Sequence, residues 1–125
     1  MFKCPVARLD DDYQNLLMFE RFFESIGYAP STFRTTNAFF ESITDADPDL
    51  IIIDLRLAGD LSGIDVCDEL RAIERFRITP VVAITAVPVN YPRDTAMEHG
   101  FSAYFTKPFV PAEFRRLVRE LLGDS

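Results

Sequence analysis

A doubly wound α/β domain built on one parallel sheet is the fold class this sequence predicts, and three observations carry the prediction. Two short runs, Leu50-Ile51-Ile52-Ile53 and Pro80-Val81-Val82-Ala83-Ile84-Thr85, are apolar on both faces, as a strand buried inside a parallel sheet must be. Segments with apolar residues at helical spacing separate the strand candidates. The β-α alternation repeats five times over 125 residues, the length of one domain, so residues 1–125 read as a single unit with helices on both faces of the sheet.

Residues 6–9 form the first strand candidate and run into Asp10-Asp11-Asp12. Leu16, Phe19, Phe22, Phe23 and Ile26 then recur at helical spacing, and Gly27 follows where a helix end favours positive φ. Residues 28–35 predict a second strand. Pro30 has no amide to donate, so this strand belongs at a sheet edge. Asn37 is a cap candidate for a short helix over 38–43. Asp47-Pro48-Asp49 marks a turn before the strand that ends in Asp54. Gly59 and Gly63 bracket a loop, and Ile64, Cys67, Leu70 and Ile73 make the next helical stripe. After the strand at 80–85, Pro88 and Pro92 delay the fourth helix until about Arg93, and it ends near His99. Residues 101–106 form the fifth strand. Phe114, Leu117, Val118, Leu121 and Leu122 give the last helix the cleanest apolar stripe.

Composition narrows the function. A net charge of −7 with no basic run argues against nucleic-acid binding by this chain alone and suits a divalent cation or a basic partner. Cys4 and Cys67 are too far apart in sequence for a metal knuckle, and Cys67 lies on an apolar helix face as a buried thiol. A reducing, cytoplasmic compartment is expected. No apolar run is long enough to cross a bilayer, and the N-terminus does not read as a signal peptide.

In open α/β sheets, ligands bind beyond the carboxyl ends of the strands. The polar residues there are Asp10-Asp11-Asp12, Asp54, Thr85 and Lys107, which should converge in one pocket. Singly, each has a plain structural explanation: helix cap, strand end, satisfied hydroxyl, surface lysine. Together they supply the parts of a phosphoryl-transfer site. Carboxylates and carbonyls suit Mg2+, one carboxylate is a nucleophile, and a hydroxyl and an ammonium hold phosphoryl oxygens. Crowded carboxylates are resolved by a bound cation.

Leu9-Asp10-Asp11-Asp12, Ile51-Ile52-Ile53-Asp54, Ile84-Thr85-Ala86 and Tyr104-Phe105-Thr106-Lys107-Pro108-Phe109 resemble the four signature patches of response-regulator receiver domains, the CheY-like superfamily, in order and nearly in spacing. The resemblance covers essentially the whole chain. It implies a flavodoxin-like (βα)5 fold with strand order 2-1-3-4-5. It implies that Asp54 accepts a phosphoryl group from a histidine kinase or a histidine phosphotransfer protein. Asp11 would bind Mg2+ directly and Asp10 through water, with Asp54 and the backbone carbonyl of Arg56 as further ligands. Thr85 would be the switch hydroxyl, Lys107 the phosphoryl-contacting ammonium and Tyr104 the aromatic switch. The output face would be the fourth helix, fifth strand and fifth helix, acting on a downstream protein. There Arg115, Arg116 and Arg119 are expected to face solvent, as a docking patch for an acidic partner or a second copy of the domain.

Departures from the family pattern are specific. The span from Asp54 to Gly63 is one residue longer than usual, and Ala58 replaces a usual Pro. Arg8 interrupts a normally apolar strand, where it snorkels or pairs with an acid. Arg56 and Val87 stand where the family tunes dephosphorylation. Rival readings are a fragment of a larger regulator or hybrid kinase, a pseudo-receiver that takes no phosphate, and a small-molecule hydrolase. The haloacid-dehalogenase type needs a second acid two residues after its nucleophile, where this chain has Arg56, and His99 is the only histidine. The intact Asp10, Asp11, Asp54, Thr85 and Lys107 set argues against the pseudo-receiver.

Overall fold

The computed structural model describes residues 4–57, 62–107 and 111–123. Five strands, β1 (Cys4–Leu9), β2 (Tyr28–Phe33), β3 (Leu50–Asp54), β4 (Val81–Thr85) and β5 (Ala103–Thr106), form one sheet in the order β2-β1-β3-β4-β5. Every neighbouring pair is parallel. The helices are α1 (Tyr13–Ser25), α2 (Thr36–Ala46), α3 (Gly63–Arg71), α4 (Arg93–Glu98) and α5 (Pro111–Leu121), with a 3-10 turn at Glu74–Phe76.

Strand alternation sends the core to both sides of the sheet. Ile51 and Ile53 join Ala7, Leu9, Phe39, Ile43, Cys67, Leu70 and Phe76 in the layer under α2 and α3. Leu50 and Ile52 join Val6, Val82, Ile84, Phe23, Phe114 and Val118 under α1 and α5. Phe rings bind that second layer together. The Phe114 ring lies 5.3–6.1 Å from those of Phe19, Phe22, Phe23 and Phe105, mostly edge to face.

Local chemistry sets the joints. Asp12 caps α1, its carboxylate accepting the amides of Gln14 and Asn15. Gly27 takes φ +91° after that helix, as its position in the sequence predicts. Pro30 sits in the middle of β2, opposite Val6, on the edge strand. α2 departs from the prediction. Its cap is Thr35, whose hydroxyl accepts the Ala38 amide, so the helix starts earlier than Asn37 would have it and runs on to Ala46. Gly63 is the first residue of α3 rather than the end of a free loop, and Ser62 caps that helix. α4 starts at Arg93 after Pro92, as the prolines require. The longer loop read at positions 58–61 and the Pro108-Phe109 part of the last motif lie outside the described residues.

Candidate functional site

Sheet register brings the acidic residues together. Leu9 pairs with Ile53, so the next residues, Asp10 and Asp54, end adjacent central strands side by side. Thr85 pairs with Thr106, which brings Lys107 to the same edge, and the Lys107 amide donates to the Thr85 carbonyl at 2.8 Å. A cavity of about 190 Å³ opens there, lined by Asp10, Asp11, Asp12, Asn15, Asp54, Arg56, Ala86, Val87 and Lys107.

Asp54 is buried, and Lys107 Nζ donates to its Oδ2 at 2.7 Å. Its Oδ1 accepts the Arg56 amide at 3.3 Å. Asp10 is 1% exposed with both oxygens engaged. Oδ1 accepts the Asp12 amide at 3.0 Å, while Oδ2 accepts Arg8 Nη2 at 2.7 Å and Asn15 Nδ2 at 3.1 Å. Asp11 lies exposed at the rim. Its carboxyl is raised above the usual range by partial desolvation, then by its hydrogen bond and charge contact with Asp10, with Asp54 adding to the repulsion.

Thr85 does not line the cavity. It is fully buried beside it, and its hydroxyl accepts the Val87 amide at 3.0 Å. It shares strand parity with Val81 and Ala83, on the opposite side of the sheet from Leu50 and Ile52. Tyr104 is half-buried against the α2–α3 layer and donates its Oη proton to the Tyr91 carbonyl at 2.6 Å. Burial raises its hydroxyl pKa, with Arg93 drawing it partly back.

Two residues at the site were not read from the sequence in these roles. Asn15, in the first turn of α1, reaches back to Asp10. Arg8 pairs with an acid, one of its two expectations, and it does so inside the site: it is 2% exposed, bonded to Asp10, 3.8 Å from Asp54 and 4.3 Å from the centre of the Phe19 ring. Burial lowers its pKa, while Asp10 and Asp54 raise it. The signal available in sequence was strand parity, since Arg8 stands two residues before Asp10 and so faces the same way.

The oxygen donors at the mouth suit a hard divalent cation. Among the described residues no three acidic, His or Cys side chains form a ready metal cage. Asp11 and Asp54 bring carboxylates to the cavity, while Asp10 is held by Arg8.

A five-stranded doubly wound sheet with this acid-lysine cluster at its carboxyl edge defines a CheY-like receiver. The family model for the response regulator receiver domain matches residues 6–119, and the chain belongs to that family, the receivers of two-component response regulators. It is similar to the polar-differentiation response regulator DivK of Brucella ovis, 28% identical over 120 residues, covering 96% of this chain and 97% of that one. DivK of Brucella anthropi is 30% identical over 122 residues at the same coverage. Among solved structures, the chemotaxis response regulator CheY4 of Vibrio cholerae has a TM-score of 0.85 at 20% identity, covering 97% of this chain and all of that one. The receiver domain of a sensor histidine kinase from Pseudomonas aeruginosa, described with magnesium coordinated in its active-site cleft, has a TM-score of 0.86 at 27% identity, covering 98% of this chain and 100% of that one. No helix among the described residues is long and apolar enough to cross a membrane.

Proposed function

We propose that this receiver is a phosphoryl-accepting switch, with Asp54 as acceptor and a phosphohistidine on a sensor kinase or phosphotransfer protein as donor. The observation that carries the reading is the Lys107–Asp54 contact of 2.7 Å at the mouth of an acidic cavity. A carboxylate oxygen of Asp54 attacks phosphorus, the P–N bond to the donor imidazole breaks, and the imidazole leaves with the bonding pair. Lys107 turns from the carboxylate to the phosphoryl oxygens and offsets their charge. Asp11, Asp54 and the Arg56 carbonyl would hold Mg2+, with Asp10 behind them. When bound, the cation supplies charge neutralisation for the carboxylates and the incoming phosphoryl group.

Thr85 is the switch hydroxyl in this reading. Its hydroxyl accepts the Val87 amide and keeps its own proton to donate to a phosphoryl oxygen, so a move toward that oxygen draws Val87 and the segment after β4 inward. Tyr91 lies in that segment and holds Tyr104, so the movement reaches the β5 surface and a downstream protein. A cytoplasmic setting belongs to the same reading. Incubation with acetyl phosphate and Mg2+ should add one phosphoryl group by intact-mass spectrometry, and Asp54→Asn should add none. An adduct persisting in Asp54→Asn sinks the assignment.

A further inference from the structure

Arg8 lies in a core that has no other use for a charge. Its neighbours on the same face, Val6 on its own strand and Ile52 beside it in register, are apolar. A buried guanidinium is costly unless it is paired, and a hydrophobic residue is usually the cheaper occupant. Yet Arg8 is almost wholly enclosed. Nη2 holds Asp10, Nη1 donates to the Leu9 carbonyl at 3.1 Å, the group lies over Phe19, and Nε has no hydrogen-bond partner. It is a fixed charge at the floor of the site, 2.7 Å from one carboxylate and 3.8 Å from the acceptor carboxylate.

The charge count changes accordingly. Asp10, Asp11 and Asp54 against Lys107 alone would leave two negative charges; with Arg8 they leave one. We propose that Arg8 is a built-in counter-ion of the acidic cluster, a positioning residue that keeps Asp10 saturated and the site assembled without a cation, and that weakens divalent cation binding at Asp11 and Asp54. The inference rests on reading this cluster as the cation site. Asp10 then serves mainly to anchor Arg8, and cation exchange at the site is faster than the carboxylate count alone implies.

The test is Mg2+ titration by calorimetry on wild type, Arg8→Gln, Arg8→Lys and Asp11→Asn, each with a urea stability curve with and without Mg2+. Gln keeps one donor for Asp10 and removes the charge; Lys keeps the charge. Arg8→Gln should bind Mg2+ on the order of tenfold tighter, because a like charge a few ångströms from a divalent ion is removed. It should also gain more stability from Mg2+ than wild type does. Arg8→Lys should bind as wild type does, and Asp11→Asn should lose binding. A merely structural role predicts the opposite sign, since a disturbed site binds more weakly. Equal or weaker binding by Arg8→Gln, with wild type binding normally, overturns the inference and leaves the cation site standing. An Arg8→Gln protein that is unfolded alone but folds on adding Mg2+ supports it, and one that stays unfolded at saturating Mg2+ overturns it. No Mg2+ binding by wild type or Arg8→Gln overturns the cation reading and the inference together, whereas binding by Arg8→Gln alone supports both.

Discussion

The meeting of Asp10, Asp54 and Lys107 at one cavity was legible because a polar group that ends a buried strand has few places to go except the carboxyl edge of the sheet. The contacts between them were less legible. Strand parity puts Arg8 and Asp10 on one face, but only the α1 side of the fold, with Phe19, encloses the guanidinium and makes the pair a buried one. Asn15 reaches Asp10 across the strand-to-helix joint, whose angle no periodicity records. Cys67 was read as a buried thiol and is one. Burial pushes it up to about 11 from 9.0, although Arg71 nearby draws it partly back. The folded thiol therefore stays neutral where the unfolded one has ionised. The stability this contributes is whole below about pH 9 and is lost as pH rises from about 9 to about 11. Unfolding free energies from urea curves should fall through that window by up to roughly 2–3 kcal/mol more in wild type than in Cys67→Ala, at about 1.36 kcal/mol per pKa unit. Parallel curves for the two proteins would remove the thiol from the account.

Element existence followed from pattern, whereas element ends followed from neighbours. β1 is longer than the 6–9 run because Cys4 and Pro5 pair with Tyr28 and Ala29 of the edge strand. β5 is shorter than 101–106 because its pairing with β4 begins at Val82 and Ala103. Thr35 and Asn37 are both competent caps, and only the approach of the chain from β2 decides between them. The start of α3 is fixed more tightly than any sequence rule implies. A Cβ built on Gly63 would meet the Asp54 carbonyl oxygen at 2.5 Å, Ile53 Cγ2 at 2.9 Å and the Leu55 Cα at 2.9 Å. Two of those three atoms are backbone, at the end of β3 and on the residue after it, so they cannot turn aside. The Gly63 amide meanwhile donates to the Leu55 carbonyl at 2.9 Å and holds the helix in place. Gly63→Ala should cost about 1–3 kcal/mol of stability by overpacking and shift the end of β3, slowing acetyl phosphate modification of Asp54. An unchanged urea midpoint would mean that α3 can retreat freely.

At the scale of the whole molecule, the strand order came from family resemblance, since periodicity alone does not rank parallel strands, and the structure has that order. The arginines of α5 are a partial correction. Arg115, Arg116 and Arg119 are exposed as expected, but they line a groove with Phe22 and Ser25 of α1 and Ile26 just after it, rather than the α4–β5 side alone. That groove has a volume of about 690 Å³. The protein carries seven net negative charges, so a stripe of three arginines is a local reversal of its field. Opposed charges at a docking surface mainly raise the association rate and fix register. Two donors separate docking from chemistry. Acetyl phosphate needs only the cavity, whereas a phosphorylated histidine protein must also dock. Arg115→Glu/Arg119→Glu should leave the acetyl phosphate rate unchanged and slow transfer from the cognate histidine protein on the order of tenfold at low salt, with the gap closing as salt screens the contact. That histidine protein can be found by a phosphotransfer screen of the host's histidine kinases and phosphotransfer proteins. Equal slowing with both donors would mean that the substitutions disturb the fold, and no slowing with either would leave the arginines as a solvated helix face.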